Sequence, residues 1–229
     1  MTRKAEFMEL KEILAHCDHT LLKPEAGGPA MMKLCDEAMR AGTASVCIPP
    51  CHVAGAHGYM GDAMKICTVI GFPNGYATPR VKAFEAQDAI NNGADEIDMV
   101  VNIAMIKDKC WEDVLEEIRM VRGFTRGHVL KVIIETCLLT EEEKRMMCEI
   151  VAASGADYIK TSTGFSTGGA TREDIALLRE CCPDTLKIKA SGGIRTIEDA
   201  QDMLSLGADR LGTSALVPLI LAKLEKTEQ

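Results

Sequence analysis

Lys160 and Lys189 each close a short apolar run and lead into turns rich in glycine and hydroxyls. Ala156-Asp157-Tyr158-Ile159-Lys160 is followed by Thr161-Ser162-Thr163-Gly164, and Leu186-Lys187-Ile188-Lys189 by Ala190-Ser191-Gly192-Gly193-Ile194-Arg195. A lysine at the end of a buried strand is costly to desolvate and seldom serves packing. Two on neighbouring strands repel each other, which favours the neutral amine, and a neutral amine attacks carbonyls. An ordinary lysine titrates near ~10.4, and bringing it to ~7 requires roughly 4–5 kcal/mol. A second ammonium ~5 Å away supplies about 3 kcal/mol at an effective dielectric of ~20, and burial can supply the remainder. The chemistry indicated is Schiff-base formation. The competing reading, a plain salt bridge for each lysine, weakens when two occupy matching positions with acids nearby.

Asp98 interrupts the apolar run Glu96-Ile97-Asp98-Met99-Val100, and a carboxylate at an open strand end can move protons during carbinolamine dehydration and enamine formation. Asp18, beside His19 and Thr20, offers a second acid. Lys187 shares strand parity with Lys189 one layer deeper and reads as a structural ion pair at the bottom of the sheet. Gly192-Gly193 exposes backbone N–H groups, Arg195 adds a fork of donors, and Gly212-Thr213-Ser214 opens the last helix, so these turns suit a phosphate. Gly164 and Thr167-Gly168-Gly169 form a glycine-rich loop that could close over a ligand.

Eight strands are expected to position these groups, at about 14–18, 44–48, 66–71, 95–101, 129–135, 157–161, 186–190 and 209–212. Helices are expected at about 29–41, 51–60, 79–92, 108–122, 140–154, 171–181, 196–206 and 214–225. A recurring word marks the joints: Gly93-Ala94-Asp95, Gly155-Ala156-Asp157 and Gly207-Ala208-Asp209, with Gly42 in a looser version, each follow a helix and precede a strand. Eight β/α units without a linker predict a single-domain (β/α)8 TIM barrel over residues 1–229. An open doubly wound sheet is the rival, but no G-x-G-x-x-G turn follows the first strand. In a barrel the strand ends Asp18, Cys47, Gly71, Asp98, Glu135, Lys160, Lys189 and Gly212 would gather at one mouth.

Net charge is −8, which disfavours nucleic acid and anionic membrane, so an anionic substrate needs a locally basic pocket. No apolar run approaches a membrane span, and the opening Met-Thr-Arg-Lys-Ala-Glu-Phe has no apolar signal region. The ten cysteines lie largely within strand and helix patterns and read as reduced thiols of a cytoplasmic protein. Cys47, Cys51 and His52 could approach a metal, but nothing completes a site, so none is expected.

The ordered segments Asp18-His19-Thr20-Leu21-Leu22, Val46-Cys47-Ile48, Thr68-Val69-Ile70-Gly71-Phe72-Pro73, Glu96-Ile97-Asp98-Met99-Val100, Lys131-Val132-Ile133-Ile134-Glu135-Thr136, Lys160-Thr161-Ser162-Thr163-Gly164-Phe165 and Lys189-Ala190-Ser191-Gly192-Gly193-Ile194-Arg195 closely resemble the deoxyribose-phosphate aldolase family of class I aldolases. The resemblance covers nearly the whole chain. It implies Lys160 as the Schiff-base lysine, Lys189 as the lysine that tunes it, and Asp98 as the proton shuttle. It further implies a pocket of Asp18, Thr20, Cys47 and Thr163, and a phosphate site of Gly164, Gly192, Gly193, Arg195, Gly212 and Ser214. The reaction implied is reversible cleavage of 2-deoxy-D-ribose 5-phosphate to D-glyceraldehyde 3-phosphate and acetaldehyde, in deoxyribonucleotide catabolism, without metal or other cofactor. The partners implied are thus a small phosphorylated sugar and aldehydes, with assembly open between homodimer and homotetramer. Some members end in a tail tyrosine that aids proton transfer. Here the tyrosines are Tyr59, Tyr76 and Tyr158, so no tail phenol is expected to act. Two other classes stay open: a metal-dependent barrel aldolase, and a non-catalytic phosphosugar-binding barrel that would not need Lys160.

Overall fold

The computed structural model describes residues 10–227. The opening segment and the last two residues, on which the signal-region and tail expectations partly rest, lie outside the described residues. Eight parallel strands close into a barrel in sequence order: β1 (Cys17–Thr20), β2 (Ser45–Ile48), β3 (Ile66–Ile70), β4 (Glu96–Val100), β5 (Val129–Ile133), β6 (Tyr158–Lys160), β7 (Lys187–Ser191) and β8 (Arg210–Thr213), with β8 pairing back onto β1. The helices are α1 (Leu10–Ala15), α2 (Gly28–Ala41), α3 (Val53–Met60), α4 (Pro79–Asn91), α5 (Ile103–Lys107), α6 (Trp111–Phe124), α7 (Glu141–Ser154), α8 (Arg172–Cys181), α9 (Ile197–Ser205) and α10 (Leu216–Thr227). This is the single-domain (β/α)8 TIM barrel that the β/α alternation predicts, and the doubly wound alternative is excluded by closure.

Two segments differ from the sequence expectation. The sequence puts the first strand at about 14–18, but residues 10–15 form α1 and the strand begins at Cys17. The apolar residues Leu10, Ile13 and Leu14 recur at helical spacing, and Ile13 and Leu14 are buried in α1, so period 3.6 wins over the short apolar run. The helix expected at 108–122 is α6, and the short α5 stands before it as a separate helix, which the Asn102 side chain caps by accepting from the N–H groups of Ala104 and Met105.

The Gly-Ala-Asp joints hold the barrel's lower rim. Each Asp stands immediately before its strand and accepts, through a side-chain oxygen, the N–H of the first or second residue of the preceding strand: Asp95 from Ile66 (2.9 Å), Asp157 from Leu130 (2.8 Å) and Asp209 from Ile188 (2.8 Å). The sequence repeat is therefore a register device, fixing which residues of adjacent strands stand opposite. Helix starts are fixed by capping boxes at Thr140/Glu143 and Thr196/Asp199. The aliphatic core lies between strands and helices, where Val46, Ile48, Ile97, Val132, Ile159, Ile188 and Leu211 point outward from the barrel into the helical layer. Inward residues alternate with these, and they carry the polar groups.

Candidate active site

Parallel register puts the inward residues of neighbouring strands side by side: Asp98 opposite Lys131, Lys160 opposite Lys189, Lys189 opposite Arg210, and Asp18 opposite Gly212. The result is a buried charge cluster. The Asp98 carboxylate is fully buried and accepts from Lys160 Nζ (2.7 Å) and Lys189 Nζ (2.7 Å) on Oδ2, and from Lys131 Nζ (2.8 Å) and the Cys67 thiol (3.1 Å) on Oδ1. Lys131 Nζ also meets Glu96 Oε2 at 2.5 Å. Asp18 pairs with Lys189 and with Arg210 Nη1 (2.6 Å), and accepts the Ser45 hydroxyl (2.7 Å). Lys131, Lys160, Lys189 and Arg210 thus face the carboxylates of Asp18, Glu96 and Asp98, leaving one cation in excess.

Burial pushes Asp18, Asp98, Lys131 and Lys189 towards neutrality, and their partners overrule it. Asp98 is held well below the usual carboxylate range by Lys131, Lys160 and Lys189, and Asp18 likewise by Lys189, Lys131 and Arg210. Against the same burial, Asp18 and Asp98 hold Lys189 above the usual lysine range, and Asp98 does so for Lys131. Lys189 and Lys131 are therefore fixed ammoniums.

Above this cluster lies a cavity of about 360 Å³. Its lining includes Lys160, Thr20, Thr163, Gly164, Gly192, Gly193, Arg195, Gly212 and Ser214. Lys160 is the one lysine of the buried cluster that reaches it; Lys131 and Lys189 are sealed beneath. The cavity thus brings one amine together with the phosphate-type turns. Thr163 is held by Glu135: its hydroxyl donates to Glu135 Oε2 at 2.5 Å, and Glu135 itself adopts the left-handed region at φ 53. A non-glycine residue there is a local cost tolerated where the surroundings over-determine it. Two glycines are required by space. A Cβ on Gly212 would stand 2.3 Å from Ser191 Oγ, and Gly192, at φ 79, would bring one to 3.0 Å from the backbone of Gly169. The loop after β6 is tied at its far end, where the Ala170 N–H donates to the carbonyls of Ser191 (2.9 Å) and Gly192 (3.1 Å).

Several expectations are corrected by this geometry. Asp98 and Lys189 sit in mid-strand under the cavity, not at the mouth, because β4 continues to Val100 and β7 to Ser191. Asp18 and Cys47 do not line the cavity: both are buried, Asp18 in the ion cluster and Cys47 beside Cys67 and Val69 under Leu22 and Phe72. Lys187 makes no ion pair among the described residues; its ammonium lies 5.6 Å from the centre of the Tyr158 ring, at the solvent-exposed barrel floor. The buried structural lysine is instead Lys131, which, with Glu96 and Arg210, the sequence reading missed. The signal was present: each is a charged residue in an apolar strand at the parity of the inward set. Cys47, Cys51 and His52 do not converge among the described residues. The side chains that do, Cys47–Cys67–Asp98 and Asp18–Cys67–Glu96, already accept from lysine ammoniums at Cys67, Glu96 and Asp98. All ten cysteines are free, and no helix among the described residues is long and apolar enough to cross a membrane.

Comparison with known proteins identifies the family. The model of the DeoC/LacD family of aldolases matches residues 13–216. A deoxyribose-phosphate aldolase of Streptococcus pyogenes is 50% identical over 221 residues, 96% of this chain and 99% of the relative. Among solved structures, QR15, an aldolase, superposes with a TM-score of 0.90 at 37% identity, covering 94% of this chain and 97% of the other. The tetrameric deoxyribose phosphate aldolase of Aeropyrum pernix superposes with a TM-score of 0.86 at 30% identity, covering 95% and 93%. A closed barrel, an amine opening from a buried ion cluster into a basic cavity, and these likenesses lead to one conclusion: the chain belongs to the DeoC/LacD family of aldolases, as an enzyme of the deoxyribose-phosphate aldolase kind.

Proposed function

We propose that the chain reversibly cleaves 2-deoxy-D-ribose 5-phosphate to D-glyceraldehyde 3-phosphate and acetaldehyde through an imine on Lys160. The carrying observation is that Lys160, alone of the cluster's lysines, opens into the cavity. Deprotonating one amine would balance the excess cation of the cluster, and only this one can pass its proton outward. The neutral Nζ attacks the sugar aldehyde, the carbinolamine loses water, and the iminium withdraws the electron pair of the C2–C3 bond as the C3 hydroxyl loses its proton. Glyceraldehyde phosphate leaves, and the enamine is protonated and hydrolysed to acetaldehyde. Asp98 serves as the proton shuttle. While the Lys160 nitrogen is an iminium it adds to the charges of Lys131 and Lys189 that keep Asp98 ionised, but at the enamine stage that nitrogen is neutral, so Asp98 faces one cation fewer and its proton affinity rises. Lys189 supplies the fixed neighbouring charge. Because the iminium is the electron sink, the reaction requires no metal, and chelators should leave the rate unchanged. We read its place as cytoplasmic deoxyribonucleotide catabolism, with assembly as a homodimer or homotetramer by analogy with the Aeropyrum pernix relative.

Borohydride with acetaldehyde is expected to add one ethyl group to the protein at Lys160, since reduction turns the imine into a stable amine. Intact mass and peptide mapping check this. An adduct on Lys189 would reverse the two roles, and no adduct would reject the imine.

Arg195 is expected to act on the phosphate and not on bond making, because it is exposed and borders the cavity two residues after Gly193. Arg195→Ala should raise KM for the phosphorylated sugar by an amount corresponding to about 1.5–3 kcal/mol, with little change on unphosphorylated deoxyribose. Equal losses on both sugars would instead assign Arg195 to the fold of the loop, where its N–H donates to Asp199.

A further inference from the structure

We propose that Lys23, on the loop after β1, is a specificity-determining residue that holds the phosphate of the substrate together with Arg195; this rests on the phosphosugar reading above. The cavity is lined by Lys23, Lys160 and Arg195 and by no carboxylate, in a chain whose net charge is −8. The anion-attracting field of this concave wall is therefore local and built from these basic side chains. Lys160 is engaged by Asp98 (2.7 Å) and is the imine-forming amine, which leaves Lys23 and Arg195 for the anion.

Lys23 is free to serve. No ion pair or side-chain hydrogen bond among the described residues engages its ammonium, although the surface holds many acids. Its backbone, by contrast, is pinned. The Leu21 N–H donates to the Cys47 carbonyl (2.9 Å), the Ala26 N–H donates to the Lys23 carbonyl (3.0 Å), and the Ala26 carbonyl lies 3.2 Å from His52 Nε2. Pro24 follows it and confines Lys23 to extended backbone. A fixed base with a flexible four-carbon stem carries an uncommitted point charge to the cavity rim, and an ammonium needs no fixed approach angle to meet a phosphate dianion. Lys23 approaches from β1 and Arg195 from β7, so the two cations reach the cavity from different loops, while Gly212 and Ser214 line it from β8 and the loop that follows.

Steady-state kinetics of Lys23→Gln and Lys23→Arg in the full chain test this. Lys23→Gln should raise KM for 2-deoxy-D-ribose 5-phosphate on the order of tenfold, with kcat within about twofold of the parent and kcat/KM for unphosphorylated deoxyribose unchanged. Inorganic phosphate should become a weaker competitive inhibitor by a similar factor, Lys23→Arg should keep most of the affinity, and the Lys23→Gln defect should shrink at high salt because the charge is exposed. An unchanged KM with unchanged phosphate inhibition would overturn the proposal, as would equal losses on the two sugars. The imine reading fails separately: acetaldehyde trapping on Lys160 involves no phosphate. If trapping is absent from the unaltered protein, that reading falls, while the inhibition constant of phosphate still decides the role of Lys23.

Discussion

Lys189→Leu is expected to lower kcat/KM at neutral pH by about 10³-fold and to recover part of the loss at alkaline pH. Lys189 is a fully buried ammonium held charged by Asp18 and Asp98, and it shares one Asp98 oxygen with Lys160, each at 2.7 Å. Its removal takes away the neighbouring charge that favours a neutral Lys160 and leaves that Asp98 oxygen to Lys160 alone. The cluster passes from one excess cation to balance, so the reactive amine must be freed by raising the pH. The fold should persist, because Asp18 keeps Arg210 (2.6 Å) and Ser45 (2.7 Å), and a melting curve monitors it. The decisive measurement is the pH–rate profile with borohydride trapping at both ends. A profile unchanged in shape would show that something other than Lys189 sets the state of the amine.

Asp98→Asn should reduce kcat by at least about 10²-fold, because enamine formation needs a base to take the α-proton, carbinolamine dehydration and enamine protonation need an acid to return it, and the amide does neither. It should also destabilise the barrel. The sequence places Asp98 at an open strand end, where its loss would change stability less than activity. The structure buries it completely among Lys131, Lys160 and Lys189, and removing one partner from a buried ionic group costs about 3–5 kcal/mol. The pH dependence follows from the sign of its shift. A carboxylate held below its unfolded value contributes stability that is present above that value, near ~3.9, and lost as the pH falls through the folded one. The unaltered protein should therefore lose thermal stability steeply on acidification, and the variant should show a shallower slope. Acetaldehyde α-proton exchange, followed by NMR below the variant's melting temperature, separates the chemical role from the electrostatic one. Wild-type exchange would reject the shuttle. A shifted pH optimum with an unchanged maximal rate would reduce Asp98 to a counter-charge.

The eight-unit barrel was legible because its signals are local. Helical periodicity and the Gly-Ala-Asp joints depend on neighbours a few residues apart, and each Asp then fixes the register of the strand before it. Lys160, Lys189 and Asp98 stood out because a charge inside a short apolar strand needs a partner wherever the fold places it. What the chain order could not state is depth. Whether a strand residue lies at the mouth or a layer below depends on where closure and shear set each strand against its neighbours, a property of the whole ring. That is why Asp18 and Cys47 turned out to lie under the cavity, why Lys187 meets the Tyr158 ring in place of a carboxylate, and why Lys131, Glu96 and Arg210 joined the cluster unannounced. Sequence determined that lysines and acids would meet inside a barrel; tertiary structure decided that the ammoniums of Lys131 and Lys189 are walled in by carboxylates and that, of the three lysines in the cluster, Lys160 opens to the cavity.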